Sequence, residues 1–303
     1  MFSEQSLFLQ EDAPQAQYRP FRAKSGVHWG QRKLLMTELL FLHYFYRRED
    51  NPIFVYAGAA PGNHVEVIRQ LYPNLEIHLY DPRPFQIKES EKVHIHNEYF
   101  TDITGTYWAT KSKVLFLSDI RITGVGQRMA QGRDNPEETE REVEFNMLQQ
   151  QRWVEIIRPL SSLLKFRLPY ILDPSKQVNF EYLDGRVMLQ PWAPLSSTET
   201  RLIPTGGFTS WDANKYESQM FYHNTVSRKS RQMDPIPGSH FDGLYDSTAE
   251  YFILAKVLGT TNKQQILSFS KDIDRILGGN TEQRYQERDE GSRKVRRGRG
   301  RGR

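Results

Sequence analysis

Two glycines in one tight turn, and an aspartate further along the chain, could together bind a nucleotide-like ligand. Gly58 and Gly62 flank the small residues Ala-Ala-Pro, and Asp81 follows the next apolar run. Small residues let a ligand approach the backbone closely, because a Cβ atom would obstruct it. A carboxylate at the second position can accept hydrogen bonds from both hydroxyls of a ribose. The alternative is an ordinary tight turn between a strand and a helix.

The elements that must position these residues form the start of a βαβ series. The β-branched and aromatic run Ile53–Tyr56 predicts a first strand that ends at the turn. The apolar spacing that follows predicts a helix over Asn63–Tyr72. Glu76–Tyr80 is predicted as the second strand, which puts Asp81 at its carboxyl end. This order is typical of the first half of a doubly wound α/β domain.

The remaining elements continue the same architecture. Further strands are predicted at Val93–His96, Val114–Leu117, Ser162–Arg167 and Gly185–Pro191, with late strand or edge elements at Glu199–Ile203 and Met220–Val226. Helices are predicted over Gln31–Tyr46, Thr139–Ile157, Thr248–Leu258 and Gln264–Leu277. We therefore expect an α/β fold with a central, mostly parallel sheet flanked by helices. Residues 26–278 would form this domain, between an irregular arm at 1–25 and a disordered Arg-Gly tail at 279–303.

The composition excludes several classes of protein. The chain of 303 residues has no cysteine, which excludes a disulfide framework, a thiolate zinc site and a cysteine nucleophile. Its eight histidines show no metal-ligand spacing, so no metal is expected. The longest apolar stretch, Leu34–Tyr46, contains Glu38 and His43 and is too short to span a bilayer. We expect a soluble, intracellular protein without a membrane partner.

The net charge of +4 comes from the C-terminal tail. Seven of the 41 lysines and arginines lie at residues 293–303, with no acid among them, so the rest of the chain is slightly acidic. RNA bound by the folded body must therefore meet a local basic patch. The tail lacks apolar periodicity, and we expect it to be disordered and to act as an RNA-binding arm. A solubilising or targeting tail is the alternative.

The turn lacks the two common phosphate-binding patterns. It has neither the Gly-x-Gly-x-x-Gly fingerprint nor the Gly-x-x-x-x-Gly-Lys-Ser/Thr loop, which disfavours an NAD-dependent dehydrogenase. The shorter turn suits a ligand without a pyrophosphate, and Asp81 lies in register for its ribose. S-adenosylmethionine fits this description.

Several segments in one order give the chain a resemblance to a known family. They are Gly30–Leu42, Val55–His64, Leu117–Arg121, Ser161–Arg167, Met188–Pro191, Glu199–Ile203 and Tyr216–Tyr222. These segments resemble the poxvirus cap-specific mRNA 2′-O-methyltransferases, which double as the small stimulatory subunit of the viral poly(A) polymerase. The resemblance implies a Rossmann-like fold, S-adenosylmethionine as methyl donor, capped mRNA as substrate and a poly(A) polymerase catalytic subunit as partner. It also implies a viral relative that is located in the cytoplasm or packaged in a virion.

The resemblance implies a catalytic tetrad of Lys33, Asp119, Lys165 and Glu199. A ribose 2′-hydroxyl is a poor nucleophile at neutral pH, so a base must take its proton as it attacks the sulfonium methyl in line. A lysine amine can be that base only when desolvation or a nearby cation disfavours its charged form. We expect Lys165 to be the base, with Lys33 as the neighbouring cation. The two carboxylates would orient the amines and the ribose.

By the same resemblance, further residues would contact the cofactor. They are Gln31, Tyr56, Gly58, Gly62, Asp81, Arg83, Phe100 and Asp119. His64 is expected to be structural and to hold the first turn of the helix that follows.

The resemblance further implies that the 7-methylguanine of the cap stacks between two aromatic rings, with carboxylates at its edge. Its positive charge strengthens such stacking through a cation–π effect. The expected rings are Tyr170 and Tyr18. The expected carboxylates are Glu217 and Asp173, the second of which lies one residue after the family position, where this chain has Leu172.

The transcript is expected to follow a path beside the cap. The residues expected along it are Arg167, Ser197 and Thr198, and Arg121, Arg128 and Arg133 would add phosphate contacts. The predicted function is methyl transfer to the 2′-hydroxyl of the first transcribed nucleotide of capped mRNA. The alternatives are a non-catalytic RNA-binding or polymerase-stimulatory subunit and a 2′-O-methyltransferase for uncapped, structured RNA.

Overall fold

The computed structural model describes residues 2–17, 19, 29–121, 135–170 and 179–278. In these ranges the strands are β1 Ile53–Ala57, β2 Glu76–Tyr80, β3 Val93–His96, β4 Val114–Ser118, β5 Ser161–Phe166, β6 Asn179–Met188 and β7 Thr200–Asp212. The α-helices are α1 Gly30–Phe45, α2 Val65–Leu71, α3 Asp102–Ala109, α4 Pro136–Ile157, α5 Ala213–Thr225, α6 Tyr245–Leu258 and α7 Lys263–Ile276.

The strands form one seven-stranded sheet in the order β3-β2-β1-β4-β5-β7-β6. β1 to β5 pair in parallel, and β7 lies antiparallel between β5 and β6. Because β1 pairs with both β2 and β4, the order reverses there, and a crevice opens at the carboxyl ends of these strands. The expected α/β fold with a mostly parallel sheet is confirmed.

The centre of the sheet is apolar along its whole length. Phe54 and Val55 on β1, and Leu115 and Phe116 on β4, are fully buried. Neighbouring residues of a strand point to opposite faces of the sheet, so their burial means that both faces are covered, as in sheets flanked by helices. α1 packs against α2 and α6, and α3 packs against α4. This rigid centre holds the ends of β1, β2 and β4 in fixed relation to one another. None of the described helices has the length and apolar character of a membrane span.

One predicted element has the wrong type. Met220–Val226 was expected to be a strand or edge element, but residues up to Thr225 belong to α5. The Asp212 side chain accepts a hydrogen bond from the backbone N–H of Lys215 and so caps the helix. Buried Tyr216, Met220 and His223 then lie on one helical face. The aromatic residues that suggested a strand serve a helical core face instead.

The described N-terminal residues pack against the domain. Glu4–Leu7 form a 3-10 helix, and Leu7 and Phe8 are buried. The backbone N–H of Leu9 donates to the carbonyl of Val187, and that of Leu189 donates to the carbonyl of Leu7. Part of the segment expected to be an irregular arm therefore adds to the edge of the sheet beside β6.

A buried ion network joins α1 to the last two helices. The Arg32 guanidinium donates to Glu250 on α6 at 2.8 and 2.5 Å and to Asp274 on α7 at 2.6 Å. Its Nη2 also donates to the Ser270 hydroxyl at 2.6 Å. Because a buried charge is costly without partners, this network fixes α1 relative to α6 and α7.

Candidate active site

The turn after β1 is pressed against the end of β4. Gly58 has a φ of +82°, and a Cβ atom there would lie 2.8 Å from backbone atoms of Asp119 and Ile120. The backbone N–H of Asp119 donates to the carbonyl of Ala57 at 2.9 Å. Position 58 therefore requires glycine because the backbone at the end of β4 comes so close to it, in addition to any need to make room for a ligand. Gly62, with a φ of +72°, ends the turn before α2.

Asp81 lies at the end of β2, as expected, and is buried. Its two carboxylate oxygens accept hydrogen bonds from the backbone N–H groups of Ala60 at 3.2 Å and Arg83 at 2.9 Å. The Arg83 guanidinium also donates to both oxygens, at 2.9 and 2.8 Å. The Arg83 side chain is 65% exposed, so this guanidinium can leave the carboxylate without disturbing the core.

A cavity of about 580 Å³ opens beside this carboxylate. Its walls include Gly58, Asp81, Arg83, Phe100, Ile120 and Phe145. Phe100 contacts Tyr80 and Trp153 edge-on, with ring centroids 5.2 and 4.8 Å apart. The site thus combines an acid at one strand end with a rigid aromatic wall.

Four of the predicted residues meet at the crevice. The Nζ atom of Lys165 on β5 lies 3.1 Å from Asp119 Oδ1 and 3.1 Å from Glu199 Oε2. The Nζ atom of Lys33 on α1 donates to Glu199 Oε1 at 2.6 Å. Residues from α1, the end of β4, β5 and the start of β7 therefore form one tetrad of alternating charges.

Arg201 is a fifth member of this cluster that the sequence reasoning missed. It pairs across the antiparallel strands with Lys165 and is only 3% exposed. Its Nη1 lies 2.9 Å from Asp119 Oδ1, its Nη2 lies 3.9 Å from Glu199 Oε1, and Nη2 has no hydrogen-bond partner among the described residues. The available signal was the spacing of Glu199 and Arg201, since alternate residues of a strand share a face.

Burial and charge act in opposite directions on the ionisation of the cluster. Burial lowers the pKa of Lys33, and the cations of Arg201 and Lys165 lower it further, against the attraction of Glu199. Burial opposes ionisation of Glu199, yet Lys165, Lys33 and Arg201 together hold its pKa well below the usual value. Burial likewise opposes ionisation of Asp119, but Arg201 and Lys165 outweigh it and lower its pKa. Three cations thus face two ionised carboxylates, and a surplus of positive charge favours loss of a proton from an amine.

A second cavity, of about 260 Å³, adjoins the first. Ile120, Arg121 and Glu142 line both. Lys165 and Glu199 line the smaller one, so the tetrad faces the space next to the larger cavity. The exposed Arg121 lies at this junction, with its Nη2 atom 3.7 Å from Glu199 Oε2.

Tyr170 stands at the far side of the smaller cavity, and Glu140, which the sequence reasoning did not identify, fixes it there. Glu140 accepts hydrogen bonds from the backbone N–H of Tyr170 at 2.6 Å and from the guanidinium of Arg167. The Arg167 guanidinium carbon lies 4.1 Å from the centre of the Tyr170 ring. The Thr198 hydroxyl donates to the Tyr170 hydroxyl at 3.1 Å. Arg167 thus covers one face of the ring on which a cap base was expected to stack.

The other two residues expected near the RNA support this region in different ways. The Ser197 hydroxyl accepts a hydrogen bond from the backbone N–H of Glu199 at 3.1 Å and so helps to orient the tetrad. Burial raises the pKa of Glu217, and the nearby Glu140 raises it further. The site therefore holds two acids close to one another beside Tyr170.

Two residues expected to contact a cofactor lie behind the turn instead. Tyr56 is buried and its hydroxyl donates to Glu38 at 2.8 Å. Gln31 Oε1 lies 2.7 Å from His64 Nδ1, and His64 Nε2 lies 3.0 Å from Glu38 Oε2. His64 thus connects α1 to the turn, and the side chains of Gln31 and Tyr56 belong to this supporting network.

Several predicted residues lie outside the described part of the chain. They are Tyr18, Leu172, Asp173, Arg128, Arg133 and the tail 279–303.

Comparison with known proteins gives a consistent picture. The family model described as "Poly A polymerase regulatory subunit" matches residues 7–278. The cap-specific mRNA (nucleoside-2′-O-)-methyltransferase of Myxoma virus (strain Lausanne) is 30% identical over 278 residues, which cover 84% of this chain and 78% of the relative. The protein of the same name from Fowlpox virus (strain NVSL) is 27% identical over 259 residues, 78% of each chain. The resemblance inferred from the ordered motifs is confirmed.

Proposed function

The chain belongs to the poly(A) polymerase regulatory subunit family, and from this we propose that it methylates the ribose 2′-hydroxyl of the first transcribed nucleotide of capped mRNA. The observation that carries the proposal is the Lys165 amine, held between Asp119 and Glu199 where two cavities adjoin. The names of the viral relatives support the same reaction.

The larger cavity has the chemistry that S-adenosylmethionine requires. When bound, this cofactor would supply a methyl group on a positively charged sulfur. Asp81 would accept hydrogen bonds from the ribose hydroxyls once the exposed Arg83 guanidinium moves away. Phe100, Ile120 and Phe145 offer apolar surface for the adenine. Gly58 keeps this wall free of a side chain.

Lys165 is the proposed general base. Its amine, when neutral, would accept the proton of the ribose 2′-hydroxyl as that oxygen forms its new bond to carbon. Asp119 and Glu199 would each accept a hydrogen bond from an N–H group of the amine. The nitrogen lone pair would then point into the smaller cavity. After proton transfer the same carboxylates stabilise the ammonium. Lys33 and Arg201 place two further positive charges beside the same carboxylates.

Tyr170 and its acidic neighbours are the proposed cap-binding surface. Its hydrogen bonds to Glu140 and Thr198 fix the ring and reduce the entropy lost on stacking. Glu217, whose pKa is raised by burial and by Glu140, would ionise more readily beside a cationic 7-methylguanine, which would favour that base over unmethylated guanine. Arg167 would bind transcript phosphate only after it leaves both the ring and Glu140.

Methyl transfer to three short RNAs tests this function. With ends that are 7-methylguanosine-capped, capped without the methyl, and uncapped, we expect rapid transfer to the first only. The substitution Lys165→Ala should lower the rate by about 10²- to 10⁴-fold, because it removes the base. Binding of S-adenosylmethionine, measured by calorimetry, should be nearly unchanged.

Exposed Lys111, in the turn after α3, provides the matched control, and Lys111→Ala should behave as wild type. Equal transfer to uncapped RNA would favour the structured-RNA alternative. Intact cofactor and RNA binding without transfer by the wild-type chain would favour a non-catalytic subunit.

The description of the family model supports a second role, in polyadenylation. We propose that the chain also stimulates a poly(A) polymerase catalytic subunit. Tail lengths made by that subunit should increase when either wild type or Lys165→Ala is added, because stimulation needs the folded chain but not the base. Equal tail lengths with and without the chain would exclude this role.

A further inference from the structure

A cluster of one glutamate and three histidines lies at the edge of the sheet. Glu76 and His78 alternate on β2, and His94 and His96 alternate on the edge strand β3. His78 and His94 are partners in the parallel register, so the side chains of all four residues lie on one face. β1 and β4 separate this cluster from Lys165 on β5. It is therefore distinct from the proposed active site.

Three of these side chains converge on one point. Glu76 Oε1 lies 3.0 Å from His78 Nε2 and 4.0 Å from His94 Nε2, and the three ligand atoms all lie within 4.8 Å of one another. Two ligand atoms of a tetrahedral zinc ion, with bonds of about 2.0–2.1 Å, are about 3.3 Å apart. To bring all three atoms to that spacing, the partly exposed His94 ring must rotate away from its stacking on the His78 ring, at 4.5 Å, and the Glu76 side chain must follow.

The central ligand is held in place by residues around it. His78 Nδ1 lies 3.1 Å from His96 Nε2, a contact that directs His78 Nε2 toward Glu76. The His78 ring meets Trp108 of α3 edge-on at 4.6 Å, and the His96 ring stacks on Tyr80 at 4.2 Å. Metal-binding histidines commonly use their second nitrogen in this way, because it fixes the ring and its tautomer.

An ion from solvent can reach this point. The side chains of Glu76 and His94 are each 38% exposed, and that of His78 is 14% exposed. Two imidazole nitrogens and one carboxylate oxygen suit zinc and its late first-row neighbours, whereas magnesium and calcium take oxygen ligands. Water would complete a four-coordinate shell.

We propose that Glu76, His78 and His94 bind one zinc-like divalent transition-metal ion, with His96 as the residue that positions His78. The bound ion joins the edge strand β3 to β2 and has a structural role. This differs from the expectation of no metal. The ligands come in two pairs, Glu-x-His and His-x-His, and only the strand register brings the pairs together.

Zinc titration of the full, untagged and chelator-treated chain tests the proposal. Isothermal calorimetry should give one zinc ion per chain for wild type. His94→Ala and Glu76→Gln should each weaken binding at least tenfold, and His96→Ala by about 10- to 100-fold through the second nitrogen of His78. The matched control is His43→Ala, a partly buried histidine on α1, which should leave the affinity unchanged.

Cobalt absorption gives an independent measurement on the same proteins. Visible bands of four-coordinate cobalt should form with wild type and be lost in His94→Ala, while a thermal melt verifies that each variant is folded. Absence of a stoichiometric zinc site in wild type would overturn the proposal. So would equal zinc affinity in wild type, His94→Ala and Glu76→Gln.

Discussion

The Lys165 amine is subject to two opposing influences. The carboxylates of Asp119 and Glu199 orient it but also favour its charged form, which cannot act as a base. Lys33 and Arg201 add positive charge to the same cluster. Because Arg201 is buried against Asp119, a cation from solvent could not take its place if its side chain were removed. The proposed methyl transfer should therefore depend on pH.

Removal of the Arg201 charge should shift the pH dependence of methyl transfer. In Arg201→Met the pKa of Lys33 should rise, since one of the cations that lowers it is lost. We expect the pH of half-maximal rate to increase, because a cation is lost from the cluster that holds the proposed base. Arg201→Lys keeps a positive charge and should shift it less. Superimposable pH–rate profiles for wild type and Arg201→Met would contradict this account.

The identities of the tetrad residues could be predicted from the sequence, but their partners could not. Lys33, Asp119, Lys165 and Glu199 lie in motifs that resemble a known family, whereas Arg201 carries no separate motif and is identified only by strand register. Tyr56 was expected at the cofactor by the family resemblance. Its side chain points to Glu38 because the face of β1 on which it lies is packed against α1.

At the scale of elements, the first four strands were predicted most accurately. β2 and β3 have the predicted bounds, and β1 and β4 each differ by one residue. β1 and β4 are marked by buried apolar runs, and in β2 and β3 apolar residues alternate with polar ones, so a local pattern defines each strand. The prediction of a strand or edge element at Met220–Val226 was wrong. The aromatic residues there have high strand propensity, but tertiary packing selects the helix α5. α3, which contains Gly105, was not predicted at all.

The turn between β1 and α2 gives a prediction at this scale. Gly58→Ala should destabilise the fold and lower methyl transfer, because the new Cβ would collide with the backbone of Asp119. Gly206→Ala is a matched control, since Gly206 also has a positive φ, +102°, but open space around its Cβ position. Urea unfolding should show a loss of about 1–2 kcal/mol for the control and a larger loss for Gly58→Ala.

Methyl transfer separates the two variants further. Gly206→Ala should retain the wild-type rate, and Gly58→Ala should not, because Asp119 contacts the proposed base, Lys165. Equal losses of stability in both would mean that the backbone conformation matters and the approach of β4 does not.

At the scale of the whole molecule, the interior contains many ionisable groups that the composition does not reveal. The Arg228 guanidinium donates to Asp246 at 2.7 Å, and both are buried. Burial opposes ionisation of Glu250, yet Arg32 and His240 keep its pKa well below the usual value. His223 is also buried, and burial, with the nearby Arg228 charge, lowers its pKa to about 3. Such a fold should be sensitive to acid.

His223 makes this sensitivity measurable in mild acid. The unfolded chain takes up a proton at this residue near pH 6.5, whereas the folded chain does so only near pH 3. Falling pH therefore favours unfolding across that interval. Urea unfolding at several pH values between 7.5 and 5 should show a decline in stability that is shallower in His223→Gln.

The same change at His43 serves for comparison. Burial lowers the pKa of His43 as well, but its ring is much less buried, so His43→Gln should flatten the decline less. An identical slope for wild type and His223→Gln would contradict the assignment.

Arg32 and Lys33 are consecutive residues of α1 whose side chains contact different parts of the fold. Lys33 contacts Glu199 in the cleft, and Arg32 contacts Glu250 and Asp274 behind it. Removal of α7 would leave a buried guanidinium without one of its partners, on the helix that carries Lys33 into the proposed site. A truncated chain that ends after the last strand should therefore lose the geometry of that site, even though the sheet itself would be complete.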